Sequence, residues 1–341
     1  MAHAIRVHKV GGPDAMQYEE VEVGAPGQGQ IKLKQHAIGV NYIDVYLRTG
    51  LYPQPSSPFI PGMEGAGEVL AVGAGVTDLK VGDRVAYAGP AGGYSSERLL
   101  PADRAVKIPS TIDYNTAAAM MLQGMTVRYL IRKTYKVGPE TTLLWHAAAG
   151  GVGLIACQWL KHIGATMIAT AGGPEKCKLA LEAGATHCID YKTENFVERV
   201  KTITGGKLCD VVYDSIGKDT FPASLDCIKP LGLFVTFGNA SGPIDAMNTG
   251  LLGAKGSLYM TRPSLGNYTS PRADLLETAN DLMDVIAKGV VKINVNHTYA
   301  LKDALGDHVH QVVGRLEQVS ARGGVVAQRR TRHVERALGA E

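Results

Sequence analysis

Cysteine is missing from the first 156 residues of this chain, and the chain contains no C-x-x-C pair. This spacing excludes a zinc knuckle and a disulfide framework. Long apolar runs are missing too, both at the N-terminus and elsewhere, so the sequence predicts neither a signal peptide nor a membrane span. The charge is nearly balanced, at 35 basic and 32 acidic residues, and does not favour nucleic acid as the main partner. The chain has five cysteines, an odd number, and they are scattered in sequence. This is typical of a protein in a reducing compartment, so we expect a cytoplasmic protein.

The 341 residues include 41 glycines and are 45% hydrophobic, enough for two domains with large cores. Residues 1 to about 122 consist of short alternating runs broken by Gly and Pro, which predict an all-β barrel or sandwich. From about residue 123, apolar strands alternate with amphipathic helices. That alternation predicts a doubly wound parallel sheet.

The stretch HAAAGGVG, residues 146–153, lies between a predicted buried strand and a predicted helix. It resembles the dinucleotide fingerprint G-x-G-x-x-G, with Ala148, Gly150 and Gly153 at the three fingerprint positions. The second glycine admits the pyrophosphate and the third lets helix and strand pack closely. The N–H groups of Gly151 and Val152 would then face the phosphates. A merely tight strand-to-helix turn is the alternative.

The next strand ends in ATAGGPEK, residues 169–176, where NAD-type sites carry an acid for the ribose 2′-hydroxyl. Here Gly172 and Gly173 occupy the critical places, Lys176 lies on the following helical turn, and Tyr191 follows the third strand. The missing acid removes repulsion against a 2′-phosphate, so the sequence favours NADPH over NADH. An ordinary solvated lysine is the alternative for Lys176.

Several motifs together resemble the medium-chain dehydrogenase/reductase superfamily, and within it the zeta-crystallin-like NADPH-dependent quinone oxidoreductases; they include AIGVNYIDVYLRTGLYP, PGMEGAGEV, AAAMMLQGMTVRYLI and HAAAGGVGLIACQWLK. The resemblance implies an α/β plus β fold, in which a GroES-like β-barrel catalytic domain (1–122 and 268–341) accompanies a Rossmann-type doubly wound NADPH-binding domain (123–267). It also implies an active site in the cleft between them. It further implies a homodimer joined through the cofactor domains, with an edge strand near GSLYMTRP.

Zinc-dependent members of the superfamily place a cysteine at the position of Asn41 and a His-Glu pair at the positions of Met63 and Glu64. Only the glutamate is kept, so we expect no catalytic zinc. Without a Lewis acid, a substrate that accepts hydride directly fits best, and quinones do so. The resemblance therefore implies NADPH-dependent quinone reduction.

The resemblance also implies which residues act. Five are expected at the reacting centre, namely Asn41, Tyr46, Tyr52, Gln123 and Thr126. Nicotinamide and ribose contacts are expected from Asn41, Asp44, Tyr46, Thr126, Ser215, Ile216, Phe237, Gly238 and Asn239. Packing is the alternative for the two tyrosines, and a structural role is the alternative for Asp44.

Two other functions stay open. An NADPH-dependent 2-alkenal or enone reductase needs the same hydride delivery, with a proton donor such as Tyr52. An RNA-binding, crystallin-like protein draws some support from the arginine-rich end of residues 306–341, where the chain departs from the family pattern.

Overall fold

The computed structural model describes residues 1–305, 319–320 and 324–327. The arginine-rich end on which the RNA-binding alternative rests, residues 328–341, lies outside the described residues. Within the described part of the chain, no helix is long and apolar enough to cross a membrane.

The secondary structure consists of strands joined by helices and short turns. The strands are β1 (Ala2–Val7), β2 (Met16–Val21), β3 (Gln30–Gly39), β4 (Glu64–Val72), β5 (Arg84–Ala88), β6 (Glu97–Pro101), β7 (Val106–Lys107), β8 (Thr142–Trp145), β9 (Thr166–Ala171), β10 (His187–Asp190), β11 (Cys209–Asp214), β12 (Ile228–Thr236), β13 (Tyr259–Thr261), β14 (His297–Ala300), β15 (Val319–Ser320) and β16 (Gly324–Ala327). The helices are α1 (Tyr42–Thr49), α2 (Tyr114–Tyr129), α3 (Gly151–Ile163), α4 (Pro174–Ala183), α5 (Phe196–Ile203), α6 (Phe221–Ser224), α7 (Gly250–Ala254), α8 (Leu265–Tyr268) and α9 (Arg272–Ala287).

The chain forms two compact units. Unit 1 comprises Met1–Met125, Pro271–Ala279 and the described residues from Ile293 on, and unit 2 comprises Thr126–Ser270 and Asn280–Lys292. Inside unit 2, Arg128 of α2 pairs with Asp281 of α9 at 3.0 Å, which ties residues 280–292 to this unit. The boundaries inferred from the sequence, 1–122 with 268–341 against 123–267, stay a prediction.

Unit 1 is built on antiparallel sheets. Its larger sheet has the order β14-β16-β15-β3-β4-β5-β7, with β6 on β3, and a second sheet pairs β1 with β2. Alternation along β3 sends Ile31 and Leu33 into a core that also holds Val69, Val85 and Leu100. The alternating runs of the sequence are thus strands with one buried face, as predicted.

The prediction of an all-β first region, residues 1 to about 122, is wrong at two places, since α2 begins within it at Tyr114 and a short helix follows Asn41. Residues 42–49 form α1, because Asn41 and Asp44 make a capping box at its start. Gly50 ends the helix in the left-handed conformation, at φ 82°. The short helix holds the side chains of Asp44 and Tyr46 in the interior of unit 1.

Unit 2 is a parallel sheet with strand order β10-β9-β8-β11-β12-β13. The order turns back at β8, and α3, α4 and α5 connect successive strands, so the predicted doubly wound sheet is confirmed. Trp145, Trp159 and Tyr213 are fully buried in its core. Strand β13 lies at the sheet edge, within the segment that the sequence identified as the edge.

Candidate functional site

The glycine-rich turn of unit 2 runs from β8 into α3. Its tightest point is Ala147, which has the left-handed φ of 54°. Ala148 was expected to serve the tight turn with a negative φ, and it is not among the residues of positive φ. Gly150 caps α3 with extended backbone, and Gly151 and Val152 begin the helix, so their N–H groups have no acceptor within the helix. This is an anion-binding geometry.

Gly153, the third glycine of the fingerprint, faces the main chain of the same turn. A Cβ atom at residue 153 would lie 2.5 Å from the Cα of Ala148 and against its carbonyl oxygen. Backbone atoms at that distance cannot rotate away, so only glycine lets α3 start this close to the turn. The cradle therefore fits the pyrophosphate function that the sequence assigned to it.

His146 connects this turn to neighbouring elements by side-chain hydrogen bonds, a role that the sequence did not predict. The ring is buried, with Nδ1 3.0 Å from the Thr170 hydroxyl of β9 and Nε2 3.0 Å from the Ser224 hydroxyl of α6. Burial lowers the pKa of His146, so the ring is neutral and joins three elements by hydrogen bonds. The only sequence signal was a polar residue directly after an apolar strand.

The ends of β9 and β10 form the next part of the site. The Tyr191 hydroxyl covers Gly172 so closely that a Cβ there would lie 2.5 Å from it. Gly173, at φ 106°, donates its N–H to Asp190 Oδ1 at 2.8 Å, and Lys176 follows in the first turn of α4. The structure thus brings Gly172, Gly173 and Tyr191 together, and a side chain at residue 172 would have to displace the Tyr191 hydroxyl.

The loops after β11 and β12 lie against each other. Gly238 packs on the main chain of Ser215, where a Cβ would lie 2.5 Å from the Ser215 oxygen, and the Ser241 N–H donates to the Ile216 carbonyl at 2.9 Å. Buried Asp214, which the sequence did not single out, fixes the first loop by accepting from the Ile216 N–H at 2.6 Å and the Thr220 hydroxyl at 2.7 Å. The predicted residues Ser215, Ile216, Phe237, Gly238 and Asn239 therefore share one end of the sheet.

In unit 1, Asp44 holds the start of α1. Its Oδ2 accepts from the Asn41 N–H at 2.8 Å and from the Tyr94 hydroxyl at 3.0 Å. These contacts give Asp44 a structural role, which the sequence analysis had left open as the alternative. Its contact with the cofactor stays a prediction.

A second chain of hydrogen bonds fixes the Asn41 side chain. Asn41 Nδ2 donates to Glu64 Oε1 at 2.6 Å, and Gln123 Nε2 donates to Asn41 Oδ1 at 3.2 Å. The other Glu64 oxygen accepts from the Leu122 N–H at 2.7 Å, and Gly39 leaves room for the carboxyl. Glu64, considered from sequence only as a former zinc position, is thus the centre that orients two predicted site residues.

Both carboxyls of this network are poor acids. Burial raises the pKa of Asp44 to about 7, against hydrogen bonds from Asn41 and Tyr94. Burial likewise raises the pKa of Glu64 to about 8, and the neighbouring Asp44 adds to the rise. The site of unit 1 therefore has two carboxyl groups that titrate close to neutral pH.

The predicted tyrosines lie side by side. Tyr46 contacts Tyr42 edge-on at 5.2 Å and Tyr52 in a tilted arrangement at 5.0 Å, measured between ring centroids. Tyr46 is buried and Tyr52 is partly exposed, so packing accounts for Tyr46 and leaves a face of Tyr52 accessible.

A Rossmann-type sheet with a phosphate cradle, on one chain with a GroES-like β unit, defines a two-domain dehydrogenase or reductase. The family models agree: residues 151–280 match the zinc-binding dehydrogenase family, and residues 27–110 match the alcohol dehydrogenase GroES-like domain. Across the described residues, no group of three or more His, Cys, Asp or Glu side chains is arranged to hold a metal ion.

Similarity to individual proteins narrows this class of dehydrogenases and reductases further. The chain is 53% identical over 311 residues to a quinone oxidoreductase of Salmonella typhimurium, covering 90% of this chain and 95% of that protein. It is 46% identical over 328 residues to a 2-haloacrylate reductase of a Burkholderia species, covering 93% and 98%. The crystal structure of Escherichia coli quinone oxidoreductase complexed with NADPH matches with a TM-score of 0.89 at 49% identity, covering 91% and 96%. The chain belongs to the quinone oxidoreductase family of the medium-chain dehydrogenase/reductase superfamily, as the sequence motifs predicted.

Proposed function

We propose that this protein reduces quinones with reducing equivalents from NADPH. The observation that carries the proposal is the cofactor cradle of unit 2, where only glycine fits at residue 153. Gly172 and Gly173 stand where NAD-type sites carry an acid, and Lys176 lies in the first turn of the helix that follows. Relatives at 48–53% identity are named quinone oxidoreductases, and the E. coli structure holds NADPH.

The residues of the chain have separate tasks in this proposal. When bound, NADPH supplies hydride from its nicotinamide ring. Gly151 and Val152 bind the pyrophosphate through main-chain N–H groups, with Gly150 letting the backbone approach it, and Lys176 with Tyr191 binds the 2′-phosphate. The loops that carry Ser215 and Asn239 hold the nicotinamide ribose and carboxamide, together with Thr126.

The polar network of unit 1 holds the substrate end. Gln123 and Asn41 orient a quinone oxygen or the nicotinamide, with Glu64 fixing the direction of the Asn41 amide. Tyr52 offers a ring face to a flat substrate, with Tyr46 packed behind it. Orientation of this kind is the main requirement for hydride transfer to a ready acceptor.

Steady-state assays with 1,4-benzoquinone and a 2-alkenal, each with NADPH and with NADH, test the proposal. We expect the kcat/KM for the quinone with NADPH to exceed that of each other combination by at least about tenfold. Reduction of the alkenal alone would overturn the quinone assignment.

The clearest cofactor prediction concerns Lys176. Lys176→Ala should weaken NADPH binding by about 10- to 100-fold, because a charge-assisted contact to phosphate is lost, and should leave NADH binding unchanged. Lys178→Ala is the matched control, since Lys178 is an exposed lysine of the same helix that pairs with Glu182. Fluorescence titration of both nucleotides measures the effect, and an equal loss for NADPH and NADH would contradict the role of Lys176.

Reduction of an electron-poor alkene is a second candidate function. It is favoured by the 46% identity to a 2-haloacrylate reductase, a protein named for an activated carbon–carbon double bond. In that reaction Tyr52 would supply the proton. Activity on a 2-haloacrylate that is lost in Tyr52→Phe, with quinone reduction intact, would support this candidate.

We also propose a homodimer joined through unit 2. Among the described strands, the edge strand β13 pairs with β12 alone, and Tyr259 on it is 63% exposed. Light scattering at the mass of a single chain would exclude this assembly. The cytoplasmic location stays a proposal that cell fractionation tests.

A further inference from the structure

Two cysteines of unit 2 face each other. The sulfur atoms of Cys177, in α4, and Cys188, in β10, lie 2.7 Å apart, and both residues are partly exposed. The S–S bond of a disulfide is about 2.05 Å long, so a small approach would join them. All five cysteines are free thiols, and the other three, Cys157, Cys209 and Cys227, are buried.

The fold brings this pair together by a helix-to-strand reversal. From Cys177 the helix continues for six residues to Ala183, which advances the chain by about 9 Å. After the turn at Gly184 the chain reverses, and β10 begins at His187, so that Cys188 lies at the start of the returning strand. The sulfur atoms of Cys177 and Cys188 therefore lie side by side on adjacent elements, although the two residues are 11 positions apart in sequence.

We propose that Cys177 and Cys188 form an oxidisable dithiol site, which closes to an intramolecular disulfide on reaction with a low-molecular-weight disulfide. The Cys177 thiolate, its proton lost to solvent, attacks one sulfur of the oxidant, forms a mixed disulfide and releases one thiolate. Cys188 then attacks the Cys177 sulfur and releases the second half of the oxidant as a thiol. The protein loses two hydrogen atoms, and the oxidant is reduced to two thiols.

The order of attack follows from the surroundings of the two sulfurs. Burial raises the pKa of both thiols, and that of Cys188 lies far above the usual range, so Cys177 is the first nucleophile. Reaction should accelerate with rising pH. The buried thiols of Cys157 and Cys227, whose pKa values burial raises to about 12, stay reduced while the protein is folded.

The position of the bond gives it a structural consequence. It would link the helix that begins beside Lys176 to the strand that leads into Tyr191. Asp190, two residues after Cys188, already ties the same strand end to Gly173 through a hydrogen bond. A covalent link beside it closes a short loop, so oxidation should raise the melting temperature of the protein by about 5 °C.

Thiol counting tests the site on the intact protein. After incubation of the folded protein with excess glutathione disulfide at about pH 8 and removal of the reagent, Ellman titration in denaturant should find three thiols instead of five. The intact mass should fall by two hydrogen atoms. Dithiothreitol should restore both values and the original melting temperature. Five remaining thiols, or a stable glutathione adduct on the parent protein, would overturn the proposal.

Variants in which one cysteine is replaced distinguish formation of the Cys177–Cys188 disulfide from reaction of any other thiol with the reagent. Cys188→Ser should stop at the mixed disulfide and carry one glutathione on Cys177, because the second thiol is missing. Cys157→Ser, which keeps both partners, is the matched control and should close as the parent protein does. Closure in the Cys188→Ser variant would show that a different pair reacts. Since the melting temperature reports on each variant, a misfolded protein is recognised before its thiols are counted.

Discussion

Gly153→Ala is expected to weaken NADPH binding by about a hundredfold or more, equivalent to ~2.7 kcal/mol. The added methyl group would lie 2.5 Å from the Cα of Ala148, an atom of the main chain that no side-chain rotation can move. Helix α3 must therefore shift away from the turn. The N–H groups of Gly151 and Val152, which begin this helix, would shift with it and leave the phosphate positions.

Gly138→Ala is the control for this experiment. Gly138 lies in the same unit, just before β8, and a Cβ atom there would meet no atom within 4 Å. We expect it to bind NADPH like the parent protein. Isothermal titration gives the affinities, and circular dichroism confirms that both variants are folded. Parent-like binding by a folded Gly153→Ala variant would show that the cradle is not where the pyrophosphate binds.

Glu64 should make unit 1 sensitive to alkali. In the folded protein the pKa of Glu64 is about 8 and that of Asp44 about 7, against ordinary values of 4.5 and 3.8. The folded state therefore holds protons that the unfolded chain has released. This stabilisation is fully present below about pH 4 and is lost as the pH rises through 7 to 8. We expect the melting temperature of the protein to fall by roughly 5 °C or more between about pH 6 and pH 9.

Glu64→Gln should flatten much of this dependence, because an amide does not titrate. The oxygen of the new glutamine side chain can still accept from the Leu122 N–H. Its NH₂ group can donate to the Asn41 oxygen if the side-chain amides of Asn41 and Gln123 both flip, which exchanges the positions of their oxygen and nitrogen atoms. The Gln123 oxygen is buried and has no hydrogen-bond partner among the described residues, and the two flips give it a donor in Asn41. The substitution therefore keeps the network connected.

Glu68→Gln is the matched control, since Glu68 lies four residues along β4 with a side chain 44% exposed. It should retain the alkaline loss of the parent protein. Melting curves recorded from pH 6 to pH 9 on the three proteins decide the matter. If Glu64→Gln lost as much stability at high pH as the parent protein, the carboxyl of Glu64 would not be the titrating group.

The parts of the site that the sequence predicted are those whose determinants are local. Strand β8, the glycines and α3 follow one another within about twenty residues, so pattern and spacing were sufficient. Helix α1 was missed because its eight residues follow directly on a strand and its signal, the Asn41–Asp44 capping box, is only four residues long. The fingerprint aligned Ala148 with the tight turn at a negative φ and gave no sign that its neighbour Ala147 would adopt the left-handed conformation.

The hydrogen-bond network of unit 1 was beyond reach of the sequence for a different reason. Glu64 meets the Leu122 N–H across 58 positions, and Gln123 meets Asn41 across 82. No periodicity or motif connects residues so far apart, and their pairing depends on how β4, α1 and α2 pack. The resemblance named Asn41 and Gln123 as site residues, but only the fold shows that one buried carboxyl sets the direction of the Asn41 amide.

The neutral ring of His146 gives unit 2 a pH dependence of stability opposite in sign to that of Glu64 and Asp44. Because burial lowers its folded pKa below the ordinary 6.5, the unfolded chain takes up a proton first as the pH falls, and stability is lost on the acid side. The charge of Asp214 acts on the pKa of His146 in the opposite direction and reduces that loss without cancelling it. The contribution of His146 to the stability of the nucleotide turn is therefore lost in acid, whereas that of the carboxyls around Asn41 is lost in alkali. These two parts of the binding machinery, which lie in different units, respond to pH in opposite directions.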